Sequence, residues 1–215
     1  MAILCRNILE FLRIDFWLTF KNSLLLAAFY FLIIPVIRGI SNLDTVQSAQ
    51  CLGQSAALIG VIIIVPISSM EQKTGIKEII YTKAWSYMKS IIIRLISSFL
   101  LVICFITGFA FIMQVNHCIF PFGEFVFAAV LYTEFLGLLG LVLSQLDGNV
   151  VIGYFMSLGY WSLCQFQIFL ERDGFYLFPV VNGNIEMQKL IILFLVVVIL
   201  TGSVLFTVRG KTGIF

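Results

Sequence analysis

Six apolar runs, each about long enough to cross a bilayer, constrain the fold of this chain more than any other feature. A helix that rises about 1.5 Å per residue needs roughly 20 apolar residues to cross a hydrocarbon core about 30 Å thick. Such runs occupy residues 22–38, 52–69, 91–113, 124–144, 150–170 and 187–208. Since 61% of the 215 residues are hydrophobic and only 11% are charged, a water-soluble fold could not bury the apolar surface. The sequence therefore predicts an all-α, multi-pass membrane protein with six transmembrane helices.

Lysine and arginine are distributed unevenly along the chain, and their distribution predicts its orientation. Six crossings place both termini on one side, and basic residues concentrate on the cytoplasmic side of a membrane. With the N-terminus in the cytoplasm, only Arg38, Arg172 and Lys189 of the 13 basic residues fall on the outer side. We therefore expect both termini to be cytoplasmic. The net charge of +2 is too small to indicate a nucleic-acid partner.

Two stretches outside the six runs are typical of segments at a membrane surface. Residues 1–20 place Leu4, Ile8 and Phe11 on one helical face, which predicts an N-terminal interfacial helix that leads into the first span. Residues 171–186 contain the stretch FYLFPVV, which is too short to cross and includes a proline. This pattern predicts an outer interfacial or re-entrant segment, with an ordinary amphipathic loop as the alternative.

The most charged segment lies between the second and third runs and therefore faces the cytoplasm in this orientation. Its apolar residues Ile76, Ile79 and Ile80 recur at helical spacing, with Lys77 and Glu78 on other faces. It is too short and too charged to cross the bilayer. The pattern predicts a short amphipathic helix at the cytoplasmic membrane surface, which either binds a partner or is simply solvated.

No motif in the sequence would carry catalysis or bind a nucleotide. With one histidine, His117, the chain has no HExxH, and it has neither GxSxG nor the phosphate-binding GxxxxGK[ST]. The five cysteines lack metal-ligand spacing. We therefore expect a protein that is not an enzyme and that binds no metal or cofactor itself. Cys51 and Cys118 both fall near the predicted outer side, where a disulfide between them is one option.

One acidic residue, Glu134, lies near the middle of the fourth apolar run. A carboxylic side chain at the centre of a transmembrane helix costs roughly 2.5–3.5 kcal/mol on insertion scales, so it should face the bundle interior or water. Two interpretations follow. Glu134, Gln165 and Gln167 line a substrate pathway, or Glu134 forms a structural hydrogen bond with another helix, for example with Gln165 or Gln167 of the fifth run.

Small residues interrupt the apolar runs at several points. Gly137 and Gly140 lie in the fourth run, and Gly153 and Ser157 lie in the fifth. Small side chains let helix backbones approach closely in lipid, where the hydrophobic effect does not drive helix association. They predict close packing at these positions.

The order of these features resembles that of the ABC-2-type permease family, the membrane subunits of many bacterial ABC exporters. The specific part of the resemblance is the stretch MEQKTGIKEIIYTKAWSYMKSIIIRL. The family often carries a Glu, a Gly a few residues later, a Glu followed by an apolar pair, and a Lys at the start of the next span. The corresponding residues here are Glu71, Gly75, Glu78, Ile79, Ile80 and Lys89.

The resemblance implies that residues 70–86 form a coupling helix that docks into a separate ATPase subunit. The residues expected to make this contact are Glu71, Lys73, Gly75, Ile76, Lys77, Glu78, Ile79, Ile80 and Tyr81. ATP and Mg²⁺ would bind to the ATPase, because this chain lacks a phosphate-binding loop. The resemblance also implies a second permease copy or a related permease, and a bacterial cytoplasmic membrane.

The function implied is that of a permease subunit that exports a hydrophobic or amphipathic substrate, such as a peptide or an antibiotic. Two alternatives stay open: a subunit that exports a lipid or glycan precursor, and a non-transporting immunity or assembly protein whose charged segment binds another soluble partner. A neighbouring ATPase gene would favour transport. A neighbouring toxin or peptidase gene without an ATPase would favour the non-transporting protein.

Overall fold

A computed structural model describes residues 2–69, 87–166, 168, 176–180 and 186–212, although not the side chains of 2–15, 18, 87, 89 and 210–212. This part of the chain is all-helical and contains no strand. The predicted coupling helix 70–86 and residue Gln167 lie outside the described residues.

Helical elements account for most of the described chain. The α-helices are α1 (Ala2–Arg38), α2 (Thr45–Ala49), α3 (Leu58–Ile64), α4 (Tyr87–Val115), α5 (Phe122–Asp147), α6 (Val150–Gln165) and α7 (Met187–Thr212). A π-helix at Gln50–Ser55 and a 3₁₀ helix at Val65–Ser68 lie before and after α3. The elements from Thr45 to Ser68 follow one another and are together called the broken helix.

Five stretches of the described chain are long and apolar enough to cross a membrane. They are Thr19–Arg38, Thr45–Ser68, Ser90–Val115, Phe122–Asp147 and Met187–Arg209. Five of the six predicted spans are thereby confirmed. In the described part of the span predicted at 150–170, the helix comprises the 16 residues of α6, which rise about 24 Å and by themselves fall short of a 30 Å core. The helix ends there because Phe166 leaves the helical conformation, with a ψ of 7°.

The N-terminal segment is continuous with the first span. Residues 2–20 are helical, but no break separates them from the rest of α1, which has 37 residues. The interfacial helix predicted at 1–20 is therefore not a separate element, and its position along the membrane surface stays a prediction. The helix ends at Gly39, whose φ of +76° is the left-handed conformation that favours glycine after a helix.

The broken helix leaves backbone carbonyls without their usual partners, and side chains from two other helices bind them. Tyr30 of α1 donates a hydrogen bond to the Ser55 carbonyl at 2.8 Å, and Trp161 of α6 donates one to the Gln54 carbonyl at 2.9 Å. In lipid, freed backbone groups must find such partners inside the protein. The two bonds therefore hold the broken helix between α1 and α6.

Helix α5 lies at the centre of the bundle and packs against α3, α4, α6 and α7. Its approach to α3 and α6 is very close: a Cβ atom added to Gly60 would lie 1.9 Å from the Thr133 carbonyl oxygen, and one added to Gly153 would lie 2.4 Å from that of Gly140. The Ser157 hydroxyl donates to the Leu136 carbonyl at 2.9 Å. The close packing predicted at the small residues of α5 and α6 is confirmed.

Hydrogen bonds tie the elements together at both ends of the bundle. At one end, called the 39–44 end, the Asn42 amide donates to the Asn116 carbonyl at 3.1 Å and the Ile119 amide to the Leu43 carbonyl at 3.1 Å. At the other end, called the 147–149 end, the Ser144 hydroxyl donates to the Ser68 hydroxyl at 2.7 Å.

Residues 176–180 pack into the half of the bundle nearer the 39–44 end. Phe178 is fully buried, and its ring meets that of Tyr132 edge-on with centroids 5.3 Å apart. The Val180 amide donates to the Tyr132 hydroxyl oxygen at 3.3 Å. This apolar stretch, which belongs to the predicted segment 171–186, therefore contacts protein rather than water.

Cys51 and Cys118 are both buried and both carry free thiols. The Cys118 thiol donates a hydrogen bond to the Ile40 carbonyl at 3.1 Å. The disulfide that the sequence left open is therefore not formed in this structure.

Candidate functional site

Glu134 is the 13th of the 26 residues of α5 and therefore lies midway along a helix long enough to span the membrane. Its side chain is only 5% exposed. Neither carboxyl oxygen has a hydrogen-bond partner among the described residues. A buried polar group without a partner is costly, because burial removes its bonds to water and replaces them with nothing.

The hydrogen bond between Glu134 and Gln165, one of the interpretations that the sequence left open, is absent. The amide nitrogen of Gln165 is likewise buried without a partner in the part of the chain that the structure describes. Helix α6 runs antiparallel to α5, and Tyr160 lies beside Phe135, with ring centroids 5.4 Å apart. Gln165 therefore lies about 7.5 Å further toward the 39–44 end than Tyr160. Because Gln167 is outside the described residues, a bond between it and Glu134 stays a prediction.

Glu134 contributes to the wall of an apolar groove of about 750 Å³ between α4, α5 and α7, called the α4/α5/α7 groove. Two residues of α4 contribute to it, and α5 and α7 each contribute six residues of one helical face. The lining residues are Phe99, Ile103, Gly123, Val126, Phe127, Val130, Leu131, Glu134, Phe194, Val197, Val198, Thr201, Gly202 and Leu205.

On α5 the α4/α5/α7 groove extends from the 39–44 end of the bundle to mid-depth, and on α7 it continues past the level of Glu134, because Thr207, two residues after the lining residue Leu205, donates a hydrogen bond to Gln145. On α5 its lining begins at Gly123, close to the loop that contacts residues 39–44, and ends at Glu134. Eleven residues of helix span about 16 Å, roughly half of a 30 Å hydrocarbon core. Phe127, Phe194 and Val198 are each about half exposed, at 51%, 47% and 52%. The groove is therefore open to lipid along its side and has a carboxyl group midway along its length.

The side chains that line the α4/α5/α7 groove offer hydrogen-bond acceptors. Apart from Glu134, the only polar side chain among them belongs to Thr201, and its hydroxyl already donates to the Val197 carbonyl at 2.8 Å. The Glu134 carboxyl accepts hydrogen bonds in either protonation state, and it also donates one when it is protonated. A molecule that complements this groove is therefore apolar over most of its length and carries a hydrogen-bond donor.

Sequence reasoning identified Glu134 but missed the groove. On α5, the spacing from Gly123 through Val130 to Glu134 marks one helical face and could have been recognised. Helix α7 is apolar on all sides, so nothing in its sequence distinguishes Thr201 and Gly202 as groove residues. The neighbours of a helix that is apolar all round are decided by tertiary packing.

Polar side chains that the sequence did not single out meet near the 39–44 end. The Arg38 guanidinium donates to the side-chain oxygens of Gln50 and Gln54, both at 3.5 Å. These contacts connect the end of α1 with the π-helix. Since Arg38 is exposed and both hydrogen bonds are long, the cluster is best explained as a link that positions the broken helix.

No group of three or more His, Cys, Asp or Glu side chains that could hold a metal ion occurs among the described residues. The chemistry available at the site is therefore that of one carboxyl group beside apolar walls.

Comparisons with known proteins return no relative: no protein-family model, no curated protein and no solved structure matches the chain.

Proposed function

We propose that this chain is the transmembrane permease subunit of a bacterial ABC exporter that moves a hydrophobic or amphipathic substrate, with ATP hydrolysed on a separate subunit. The observation that carries the proposal is Glu134, a buried carboxyl group that has no partner in the described part of the chain and faces an apolar groove of about 750 Å³ at mid-depth. Ionisable groups at such a depth are costly, and they mark substrate or ion pathways in membrane proteins.

The volume and lining of the α4/α5/α7 groove support a substrate of this class. Ligand sites for small molecules have volumes of about 300–1,000 Å³ and apolar walls with few polar groups. The groove falls in this range, and its side opens to lipid at Phe127 and Val198. A hydrophobic molecule dissolved in the bilayer could therefore enter from the side without passing through water.

Coupling to an ATPase is proposed for residues 70–86. The broken helix ends near Ser68, which accepts a hydrogen bond from Ser144 at the 147–149 end. The segment that follows therefore starts at that end, which is cytoplasmic in the orientation predicted from the basic residues. Ile76, Ile79 and Ile80 would present an apolar face to a cleft in the ATPase, while the surrounding charges would select its orientation.

A second permease is part of the proposal. In the apolar spans of α1, α4 and α7 only 22%, 33% and 17% of the residues are buried, against 78% in the broken helix and 67% in α5. Lipid can cover exposed apolar surface, and so can another membrane subunit. Together with the resemblance of segment 70–86 to permeases that work in pairs, this surface supports assembly with a second copy or a related permease in the bacterial cytoplasmic membrane.

The proposal is tested by purifying the tagged full-length chain from its native membrane in a mild detergent and identifying the co-purifying proteins by mass spectrometry. We expect a stoichiometric ATPase subunit. Ile79→Asp should abolish its association without reducing membrane insertion, because a carboxylate would replace an apolar contact residue. Ile79→Leu is the matched control and should retain the ATPase.

An ATPase that stays bound to the Ile79→Asp variant would overturn the assignment of the coupling helix. If no ATPase co-purifies while the chain stays intact, the permease proposal is wrong. A soluble toxin-binding or assembly partner found in its place would then identify the chain as the non-transporting alternative.

A further inference from the structure

We propose that the α4/α5/α7 groove binds a lipophilic primary amine, with the apolar chain along the groove and the ammonium group on the carboxylate of Glu134. The inference deepens the proposed function by naming the chemical class of the cargo. It rests on that function only for the statement that the bound molecule is transported, because binding to the groove requires no ATPase.

The apolar walls of the groove cannot select their occupant in a bilayer. Lipid tails are as apolar as leucine side chains, so an apolar molecule gains little when it leaves lipid for an apolar protein surface. Discrimination must come from the polar groups. In this groove they are the Glu134 carboxyl, whose oxygens have no partner among the described residues, and the Thr201 hydroxyl, whose proton is already donated to Val197.

An ammonium group complements these acceptors better than other donors. It carries three N–H donors and a positive charge, whereas a hydroxyl offers one donor and no charge. Hydrogen bonds between ionised partners are roughly twice as strong as neutral ones. Neither oxygen of Glu134 has a partner among the described residues, so an ammonium can satisfy both. The same ion pair forms when a neutral amine takes the proton of a neutral carboxyl group.

An ordinary phospholipid does not satisfy the site. A lipid whose headgroup lies at the membrane surface beside Gly123 would place the end of its acyl chain at mid-depth, next to Glu134. The acyl chain could fill the groove, but its methyl end offers no donor. The carboxyl oxygens would remain without hydrogen bonds. We therefore expect an amine to displace a lipid chain from the groove.

A second copy of this chain does not supply a hydrogen-bond donor to Glu134 either. Glu134 is 95% buried at the base of a concave groove, so only a long side chain from another helix could reach it. At mid-depth, the exposed side chains of the described helices are apolar, with Leu100, Ile103, Phe155 and Ile199 as examples. No lysine, arginine, asparagine or glutamine is exposed at that depth in this part of the structure.

The experiment measures binding of dodecylamine to the purified full-length chain in a non-ionic detergent by native mass spectrometry, with dodecan-1-ol as the uncharged control probe. Loss of a hydrogen bond between charged groups should weaken amine binding by about tenfold or more. We therefore expect Glu134→Gln to weaken binding of dodecylamine to that extent and to leave binding of dodecan-1-ol nearly unchanged. Glu124→Gln, which removes an exposed carboxyl from the first turn of the same helix, is the matched control and should bind both probes normally.

A second pair of variants tests the groove independently of Glu134. Gly202 lines the groove, and a Cβ atom there would meet nothing within 4 Å, so Gly202→Leu fills the groove without disturbing internal packing. Gly159 on α6 has equally open surroundings but lies outside the groove, which makes Gly159→Leu the matched control. We expect Gly202→Leu to lose dodecylamine binding and Gly159→Leu to retain it.

Three results would overturn the inference. Equal binding of dodecylamine to the unsubstituted chain and to Glu134→Gln would show that the carboxylate does not recognise the amine. An equal loss of dodecan-1-ol binding would show that Glu134 only shapes the groove. A dimer of the chain that is dispersed by Gly202→Leu but not by dodecylamine would assign the groove to a second copy. Because none of these measurements involves an ATPase, their failure is distinct from a failed ATPase co-purification.

Discussion

The substitution Gly60→Ala tests the crossing of α3 and α5. At this crossing Gly60 lies against Thr133, the neighbour of Glu134 on α5. A Cβ atom on residue 60 would lie 1.9 Å from the Thr133 carbonyl oxygen and 2.7 Å from its carbonyl carbon, whereas ordinary contact begins at 3.4 Å. The two helices would therefore have to separate by about 1.5 Å. The obstacle is backbone, which cannot rotate away as a flexible side chain can.

The expected loss of stability can be estimated from this geometry. Overpacking of a well-packed core costs typically 1–3 kcal/mol and occasionally more. Because a rigid backbone must move, we expect Gly60→Ala to lie at the upper limit, at about 3 kcal/mol. In a chain of this length such a loss corresponds to a decrease in Tm of about 6–12 °C.

The assay is thermal unfolding of the purified chain in detergent. The measured quantity is the fraction of protein that remains monodisperse after heating to each temperature, which gives Tm. Gly159→Ala is the matched control, since the added methyl group meets nothing within 4 Å, and it should melt no lower than the unsubstituted chain. If Gly60→Ala melts at the same temperature as Gly159→Ala, the close crossing of α3 and α5 is wrong, and with it the position of Glu134.

Two further predictions concern hydrogen bonding within the bundle. Tyr30→Phe removes the donor to the Ser55 carbonyl and should lower stability by about 1 kcal/mol, measured in the same melts. Tyr154→Phe, which removes no hydrogen bond described in the structure, should have no effect, and equal melting of the two variants would contradict the role of Tyr30. Glu134→Leu should raise Tm, because it replaces an unpartnered buried carboxyl with an apolar side chain of similar size. A lower Tm for Glu134→Leu would instead identify Glu134 as a structural residue.

The transmembrane helices could be predicted from the sequence because their physical cause is local. A run of about 20 apolar residues is unfavourable in water and sufficient to cross lipid wherever it lies in the chain. Five spans therefore appear where hydropathy places them. The turn at residues 147–149 is equally local: Gly148 adopts a φ of +75°, and the Asn149 side chain accepts a hydrogen bond from the Val151 amide.

The position of Glu134 at mid-depth also follows from the sequence alone, since it depends only on counting along α5. Its environment does not. Whether the carboxyl group meets Gln165 or faces a groove depends on how α5 is rotated about its axis and which helices surround it, and the apolar residues around it are compatible with either. The structure separates Glu134 from Gln165 and surrounds it with α4 and α7.

The interruption of the second span was likewise decided by tertiary contacts. The sequence predicts a regular second span, but the broken helix is sustained by donors from Tyr30 and Trp161, which come from distant parts of the chain. Only packing could decide this, because a freed carbonyl is tolerable in lipid only where another helix supplies a donor. The sequence by itself therefore determined which segments enter the membrane and which residue carries a carboxyl group to its centre. The tertiary structure alone decided what that carboxyl group faces. A helix that is apolar on all faces is specified to lie in the membrane, but its sequence does not specify which helices pack against it.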